Sequence, residues 1–253
     1  MKEIVIILSF SFLAFISCNT SEKSETQKQT YLSNSYDDLV SLFDTWRSFE
    51  NPPKLEGAPD YTKTTFDKRW PKFKVLQSQL KAIDTTNWPI ENQVDWTLVW
   101  AEMNGYDFNH QILKPWARDP AIYKTIWEYK SDVPAHEGPT HHGTTELWTY
   151  SFPLSPEVRE RLINDLTVIP PLNKQAKQNL TGNAKDLWIT GIRDIRNQST
   201  VLTKLKEQES IKSDSQIISV INEAISSTNV FADWLEAEAS SKNGPSGIGK
   251  ENY

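Results

Sequence analysis

Three of the four histidines lie close together, at positions 136, 141 and 142. The segment from His136 to His141 comes within one residue of H-E-x-x-H, in which two histidines one helical turn apart bind zinc. Here the two histidines are five residues apart, so about 140° would separate them on a helix. Gly138 and Pro139 would also break that helix. The spacing therefore predicts a surface loop, in which His141 and His142 bind metal adventitiously at most, and no metal cofactor in this chain.

A second motif, Gly244 to Lys250, fits the G-x-x-x-x-G-K pattern of phosphate-binding loops. Such a loop needs serine or threonine after the lysine to bind magnesium, but Glu251 follows here and its carboxylate would repel phosphate. The residues before the motif have a helical pattern, whereas the loop requires a preceding strand. We therefore expect no bound nucleotide. The segment is interpreted as a loop after a long helix, with Gly244 at the C′ position of that helix.

Acidic residues between positions 95 and 119 could form a catalytic carboxylate pair or a structural ion-pair cluster. Asp95 and Glu102 fall close to one helix face, and Arg118 precedes Asp119. Arginine holds carboxylates through a planar fork, whereas a catalytic pair needs an apolar site that keeps one acid protonated. We predict the structural cluster, and no catalytic residue in this chain.

The N-terminal residues have the pattern of a bacterial lipoprotein signal. Lys2 precedes an apolar run from Ile4 to Ile16 that is too short for a comfortable membrane span, and Ser17 precedes the single cysteine, Cys18. We expect residues 1–17 to be removed as a signal peptide. Cys18 would then carry a lipid that anchors the chain in the cell envelope, on the periplasmic or outer-membrane side. The alternative is an ordinary secretory signal followed by a coincidental cysteine.

Composition restricts the partners and the stabilising bonds of the chain. Residues 18–30 are predicted to be a disordered tether, because no apolar residue occurs between Asn19 and Gln29. The net charge of −6 and the pI near 5.3 argue against nucleic acid or an anionic membrane surface as a partner. One cysteine cannot form an internal disulfide, so packing must stabilise the domain.

Apolar residues recur at steps of three and four from Tyr31 onward. This period predicts an all-α domain over residues 31–253, a multi-helix array with long irregular loops. The predicted helices span about 36–50, 64–83, 93–113, 157–168, 170–177, 183–208 and 213–239. Within 64–83 we expect two helices, or one that starts at Pro71, because an interior proline kinks a helix.

The stretch from Gln93 to Tyr123 is the densest in aromatic and charged residues, and we expect the rest of the domain to be organised around it. Gly105 is predicted to break or bend its helix, and Lys114 to end it before Pro115. One stripe of this helix is predicted to be buried: Trp96, Val99, Trp100 and Met103. The ten tryptophans of the chain serve either as core anchors, the commoner role, or as the lining of a cleft for peptides or sugars.

Six motifs follow one another along most of the chain: QVDW (93–96), AEMNG (101–105), LKPWARDP (113–120), SDVPAHEGP (131–139), NLTGNAKDLW (179–188) and GPSGIGKENY (244–253). In this order they resemble the N-terminal half of a bacterial family known as domain of unknown function 885, over roughly residues 30 to 253. The resemblance implies a helical, gluzincin-like zinc peptidase whose zinc-binding H-E-x-x-H motif lies beyond the last residue here. It also implies that Lys250, Asn252 and Tyr253 line a cleft for a peptide substrate.

We therefore expect this chain to be the N-terminal part of a membrane-anchored, zinc-dependent peptidase-like hydrolase, inactive alone because the metal-binding half is absent. The alternative is a non-catalytic helical lipoprotein that binds a ligand or a protein partner. If a missing half normally packs on this one, we expect an exposed apolar patch beyond that of an ordinary monomer.

Overall fold

Helices account for most of the residues that the computed structural model describes, which are 33–130 and 142–252. The all-α prediction is thus confirmed. The predicted signal peptide and tether, Cys18, His136, His141 and Tyr253 lie outside the described residues. The helices are α1 (Tyr36–Glu50), α2 (Lys63–Lys81), α3 (Ile90–Phe108), α4 (Pro115–Arg118), α5 (Pro156–Thr167), α6 (Ile169–Asn179), α7 (Lys185–Lys206), α8 (Glu209–Lys212) and α9 (Ser215–Ala239).

Extended structure in the described residues is limited to two pairs of two-residue strands and one isolated bridge. β1 (Lys54–Leu55) pairs antiparallel with β2 (Ala58–Pro59), and β3 (Ile126–Trp127) pairs parallel with β4 (Thr145–Glu146). Short 3-10 turns occur at Pro120–Tyr123, Leu147–Thr149 and Lys250–Asn252. Across the described ranges, no helix combines the length and the hydropathy needed to cross a membrane.

The buried apolar side chains form three clusters between the helices. The first lies between α1, α2 and α3, around the fully buried Trp46, Phe73 and Met103. The second lies between α6, α7 and α9 and contains Trp188. The third joins α5, α7 and α9 to β3. All three belong to one compact unit, Tyr31–Tyr253, which therefore has its own core.

Helix α5 shows how local sequence determines an element of this fold. The Ser155 hydroxyl accepts a hydrogen bond from the Val158 N–H (3.3 Å), and Pro156 occupies the first helical position, where no N–H is required. Leu162 and Leu166, one turn apart, are fully buried. The helix runs from Pro156 to Thr167, within one residue of the predicted bounds at each end.

A buried glutamine joins α7 to β3 and α9. The side-chain oxygen of Gln198 accepts hydrogen bonds from the backbone N–H groups of Thr125 (2.7 Å) and Ile126 (3.1 Å). Its amide nitrogen donates to Thr228 Oγ1 (3.3 Å). None of these four residues is more than 1% exposed. One side chain therefore satisfies two backbone donors in a region that water does not reach.

Residues 63–81 form one continuous helix, so the prediction of two helices, or of one starting at Pro71, is wrong. Pro71 lies on the exposed side of α2, as does Asp67, whose carbonyl loses its helical hydrogen bond. On the other side, Phe66, Phe73 and Leu80 are buried. Burial of these side chains outweighs the local cost of the proline and keeps the helix intact. The Asp67 carbonyl, on the exposed side, can hydrogen-bond to solvent instead.

The predictions for α3 are correct in part. The helix continues through Gly105, so a break at this residue is excluded, and a bend there stays a prediction. Val99 and Met103 are buried, and Trp96 is half-buried, with its Nε1 donating to the carbonyl oxygen of Leu80 (3.0 Å). Trp100 is 41% exposed, so its predicted burial is wrong. It lies at the edge of the stripe, because α3 packs on α1 and α2 from one side.

Candidate functional site

The chain departs from a regular helix at the end of α3, where aromatic residues are dense. Asn109–Leu113 form a π-helical turn, in which the Lys114 N–H donates to the carbonyl oxygen of Asn109 (2.8 Å). Lys114 then adopts a left-handed conformation (φ 44°, ψ 53°), which is uncommon for a residue with a side chain. Turns of this kind are frequent at functional sites. The turn also sets the orientation of the aromatic side chains that follow it.

The π-helical turn places His110 among aromatic side chains. Its ring stacks on Trp70, with 4.1 Å between centroids and 12° between planes, and lies edge-on to Phe66 (5.7 Å, 69°). Trp116, in α4, stacks on Phe66 (3.9 Å, 27°). Tyr106, one turn before His110, has its centroid 6.3 Å away. We call Phe66, Trp70, His110 and Trp116 the aromatic wall, and the space beside it the His110 pocket.

A polar atom in this wall has no partner. Nδ1 of His110 is buried and forms no hydrogen bond with any described residue. Burial lowers the pKa of His110, an effect that the nearby Asp67 and Asp107 partly oppose, so the ring is neutral at pH 7. A buried polar atom without a partner costs about 1–3 kcal/mol. A ligand group or a water molecule that reached Nδ1 would recover this free energy.

The His110 pocket consists of two cavities that share Phe66, His110 and Trp116 as lining residues. The inner cavity has a volume of about 50 Å³, enough for one or two water molecules or a methyl group. The outer cavity is open and has a volume of about 580 Å³. This volume lies in the range of small-molecule sites, roughly 300–1,000 Å³. The aromatic wall therefore borders a space large enough for a ligand.

Two ionisable residues at the inner cavity are compensated by protein partners. Glu50 is 6% exposed and pairs with Arg47 (2.8 Å); burial raises the pKa of Glu50, and Arg47 opposes that shift. Arg69 donates to the carbonyl oxygens of Phe49 and Asn51 at the C-terminal end of α1. Burial lowers the pKa of the Arg69 guanidinium. Glu50 is thus paired with a cation, whereas the Arg69 guanidinium is held by two backbone carbonyl groups.

The rim of the outer cavity carries a charge that the protein does not compensate. Lys63 pairs with Asp67 (2.6 Å), and both lie at this rim. Lys114, also at the rim, forms no ion pair with any described residue within 4 Å. Its ammonium group can therefore pair with a carboxylate of a bound molecule.

A second histidine lines the inner cavity. The backbone N–H of His142 donates to the hydroxyl of Tyr61 (2.9 Å), and burial raises the pKa of Tyr61 to about 12. His142 and His110 thus line the same cavity, although His142 is the last residue of the histidine-rich segment and His110 lies in the π-helical turn after α3. Within the described ranges, no group of three or more His, Cys, Asp or Glu side chains could hold a metal ion.

The predicted ion-pair cluster around Arg118 is wrong. Arg118 donates to the carbonyl oxygens of Leu113 (3.4 Å), Ser246 (2.9 Å) and Gly247 (3.3 Å). Asp119 instead caps the turn that follows, accepting from the Ala121 N–H (2.9 Å).

The other two acids of that predicted cluster contact α1 instead of Arg118. Asp95 accepts from the Tyr36 hydroxyl (2.6 Å), and Glu102 pairs with Arg47 (2.9 Å). The Arg118 guanidinium binds backbone carbonyl groups rather than acids, because the loop at Ser246, 128 residues later in the sequence, lies next to it.

Three of the six sequence motifs meet at this arginine. Arg118, from LKPWARDP, holds the loop of GPSGIGKENY. The Ser246 hydroxyl of that loop accepts from the Asp186 N–H (2.8 Å), in NLTGNAKDLW, and so caps α7 from outside. Gly182 donates from its N–H to the Ala117 carbonyl (2.7 Å), and a Cβ on Gly182 would lie 2.8 Å from that oxygen. Close backbone packing therefore requires a glycine there.

The predicted substrate-binding residues lie near the end of the described chain. Lys250 is exposed, and Asn252 donates from Nδ2 to the Ile248 carbonyl (2.6 Å). Neither lines the His110 pocket, and their predicted role in a substrate cleft stays a prediction. The loop itself follows α9 by several residues. Ser240 is the C-cap, so Gly244 is not at the C′ position.

The sequence did not indicate the His110 pocket, because the tryptophans could serve either as core anchors or as the lining of a cleft, and nothing in their spacing assigned Trp70 or Trp116 to the second role. Trp70 and Trp116 instead border a cavity. A usable signal was present: aromatic residues at i and i+4 in two separate segments, Phe66 with Trp70 and Tyr106 with His110. Comparison of the chain with family models, with curated proteins and with solved structures found no match.

Proposed function

We propose that this chain is a helical ligand-binding domain, and that the His110 pocket receives a ligand with an aromatic side chain and a carboxylate, such as an aromatic amino acid derivative or a peptide end. The observation that carries the proposal is the buried, unpartnered Nδ1 of His110 in a wall of stacked rings. Aromatic walls favour a flat apolar group. Lys114 at the rim supplies the cation for a carboxylate.

The test is titration calorimetry, in which the chain from residue 19 onward is titrated separately with N-acetyltryptophan, its amide and N-acetylalanine. We expect N-acetyltryptophan to bind about tenfold more tightly than either of the others, since each lacks one recognition element. Trp70→Leu removes part of the wall. Lys114→Gly removes the ammonium group and keeps the positive φ that this position requires. Each variant should weaken binding by about three- to tenfold.

Trp148→Leu is the matched control, because Trp148 is 37% exposed and does not line the pocket. It should bind like the unchanged chain. Equal affinities for N-acetyltryptophan and N-acetylalanine, or an equal loss in Trp148→Leu, would contradict the ligand proposal. Thermal unfolding of each variant distinguishes a lost contact from a lost fold.

In a second candidate function, this chain is the N-terminal part of a membrane-anchored, zinc-dependent peptidase-like hydrolase. The support for it is the junction at Arg118, where three motifs that resemble one family are in direct contact although they are far apart in sequence. In this proposal the His110 pocket belongs to the substrate-binding part, and the zinc motif lies in a segment outside these residues. Lys250, Asn252 and Tyr253 would then lead toward the catalytic part.

This second candidate predicts that the chain alone neither retains zinc nor cleaves peptides, because a catalytic zinc needs three protein ligands and an open position. The measurement is zinc content after dialysis against a mild chelator, together with turnover of a peptide library. Stoichiometric zinc with turnover would overturn the expectation. His110→Ala and His142→Ala would then show whether the inner cavity supplies the ligands, and Lys177→Ala, outside that cavity, serves as the control.

A further inference from the structure

Helices α1 and α3 carry a large excess of acidic over basic residues. Together they contain eight acidic residues and one base, Arg47, which gives a charge of −7, compared with −6 for the whole sequence. One of the eight, Asp107, pairs with Lys74 of α2 (2.9 Å), and Glu50 is buried against Arg47. The remaining acids lie on the exposed or half-exposed sides of the two helices. Arg47, the one basic residue of the two helices, does not neutralise the charge of these remaining acids.

The same two helices leave an apolar groove open to solvent. The groove has a volume of about 290 Å³ and is lined by Tyr36, Leu39, Val40, Phe43, Leu98 and Val99, with Asp95 and Glu102 at its edge. Val40 is 43% exposed and Leu98 is 58% exposed. Val94, one turn before Leu98, is 50% exposed. We call this surface the α1–α3 groove.

Acidic side chains flank Val40 and Leu98 in the same pattern. On α1, Asp37 lies three residues before Val40 and Asp44 lies four residues after it. On α3, Asp95 and Glu102 take the same positions around Leu98. Residues at these spacings share a helix face, so carboxylates border the apolar floor on both helices. Arg47 lies at one end of the groove, over the Phe43 ring (4.8 Å), and is held by Glu102 (2.9 Å).

We propose that the α1–α3 groove is a docking site for an amphipathic helix of a partner protein, with apolar residues on one face and lysine or arginine along both edges of that face. A helix in an apolar groove is a common mode of recognition, in which residues at i, i+3, i+4 and i+7 insert between two helices. Lysine and arginine on its flanks would pair with Asp37, Asp44 and Asp95. The acidic residues beside the groove favour a partner with basic flanks over other molecules that could occupy an apolar groove.

Two other occupants fit the groove less well. A second copy would bring two faces of the same negative sign together, which repel each other. The N-terminal residues 19–29 contain no apolar side chain that could cover Val40 or Leu98. The proposal is independent of the His110 pocket, since the two surfaces share no lining residue.

The test uses a designed peptide of about five helical turns, with leucine on one face and lysine on both flanks, and an analogue with glutamate for every lysine. The chain from residue 19 is titrated with each peptide at low salt and at about 1 M salt, where charges are screened beyond about 3 Å. We expect the lysine peptide to bind and to weaken at high salt, and the glutamate peptide to bind at least about a hundredfold more weakly.

Variants separate the apolar floor from the acidic rim. Leu98→Ser should weaken the lysine peptide by about tenfold, and the double variant Asp37→Asn, Asp44→Asn should weaken it by about fivefold and reduce the salt dependence. Two controls at exposed positions elsewhere, Val230→Ser (55% exposed) and Glu209→Gln (94% exposed), should change nothing.

Three results would overturn the proposal. The first is equal binding of the glutamate peptide, and the second is equal loss in the Val230→Ser control. The third is self-association in sedimentation experiments that Leu98→Ser abolishes, which would assign the groove to a second copy of the chain. All altered side chains are exposed, and circular dichroism checks that the helices persist.

Discussion

Replacing Gln198 by leucine is expected to lower the free energy of unfolding by about 2–5 kcal/mol. Leucine is similar in size but cannot accept hydrogen bonds, so the N–H groups of Thr125 and Ile126 would lose their acceptor. Each unsatisfied buried donor costs about 1–3 kcal/mol. The gain from a more apolar side chain offsets part of this cost, which is why the expected loss is below the sum of the individual terms.

The measurement is urea unfolding followed by far-UV circular dichroism, with the midpoint and slope compared between variants. Gln208→Leu is the control, since Gln208 is exposed and its side chain has no hydrogen bond in the described structure. It should change the free energy by no more than about 0.5 kcal/mol. If Gln198→Leu is as stable as Gln208→Leu, β3 does not depend on this glutamine.

Replacing Cys18 by alanine is expected to abolish lipid attachment and membrane association of the full chain. The thiol is the one group in the sequence to which a lipoprotein-type thioether could be attached, since Cys18 is the single cysteine. The experiment is expression in a bacterium with labelled palmitate, followed by fractionation. The unchanged chain should carry label in the membrane fraction, and Cys18→Ala should lose both.

Ser17→Ala is the control for this experiment, because it keeps a small residue before the cysteine. It should remain labelled and membrane-associated. If Cys18→Ala partitions like the unchanged chain, the lipid proposal is wrong. A chain that is exported without label, with or without the cysteine, would support an ordinary secretory signal instead.

Elements with strong local signals could be predicted from the sequence to within a residue or two. Helix α5 has its cap at Ser155, a proline at the first position and buried leucines at helical spacing, and all three signals lie within twelve residues. Helix α1 likewise ends where Asn51 precedes two prolines. In both helices the local chain and the core require the same boundaries.

Features that depend on distant residues could not be predicted in this way. Pro71 lies inside α2 because the buried side chains on the far face outweigh its local cost. Arg118 binds carbonyl groups of a loop near residue 246 rather than nearby acids. Trp100 is exposed because the packing partners of α3 lie on one side. Each outcome depends on which surfaces pack against each other in the folded chain. The helical period of the apolar residues does not specify this packing.

The candidate site was missed for a related reason. Aromatic spacing indicates that Tyr106 and His110 share a helix face, but their ring contacts depend on the π-helical turn and on the left-handed Lys114. Neither has a distinctive sequence pattern beyond the following Pro115. The stretch from Gln93 to Tyr123, around which the domain was expected to be organised, contributes His110 and Trp116 to the wall, but no sequence pattern indicated that Phe66 and Trp70 of α2 would complete it.

The π-helical turn at Asn109–Leu113 makes chain length itself part of the site. Such a turn accommodates one residue more than an α-helical turn, since the Lys114 N–H reaches back five residues to Asn109. Deleting one residue there would remove the extra residue, so α3 could continue with ordinary α-helical bonds and the residues after the turn would keep nearly the same orientation. Trp116 could then still stack on Phe66, whereas the widened turn that holds His110 would be lost. A shortened chain could thus keep its helices and change the pocket at His110, so a deletion at this position acts on binding separately from folding.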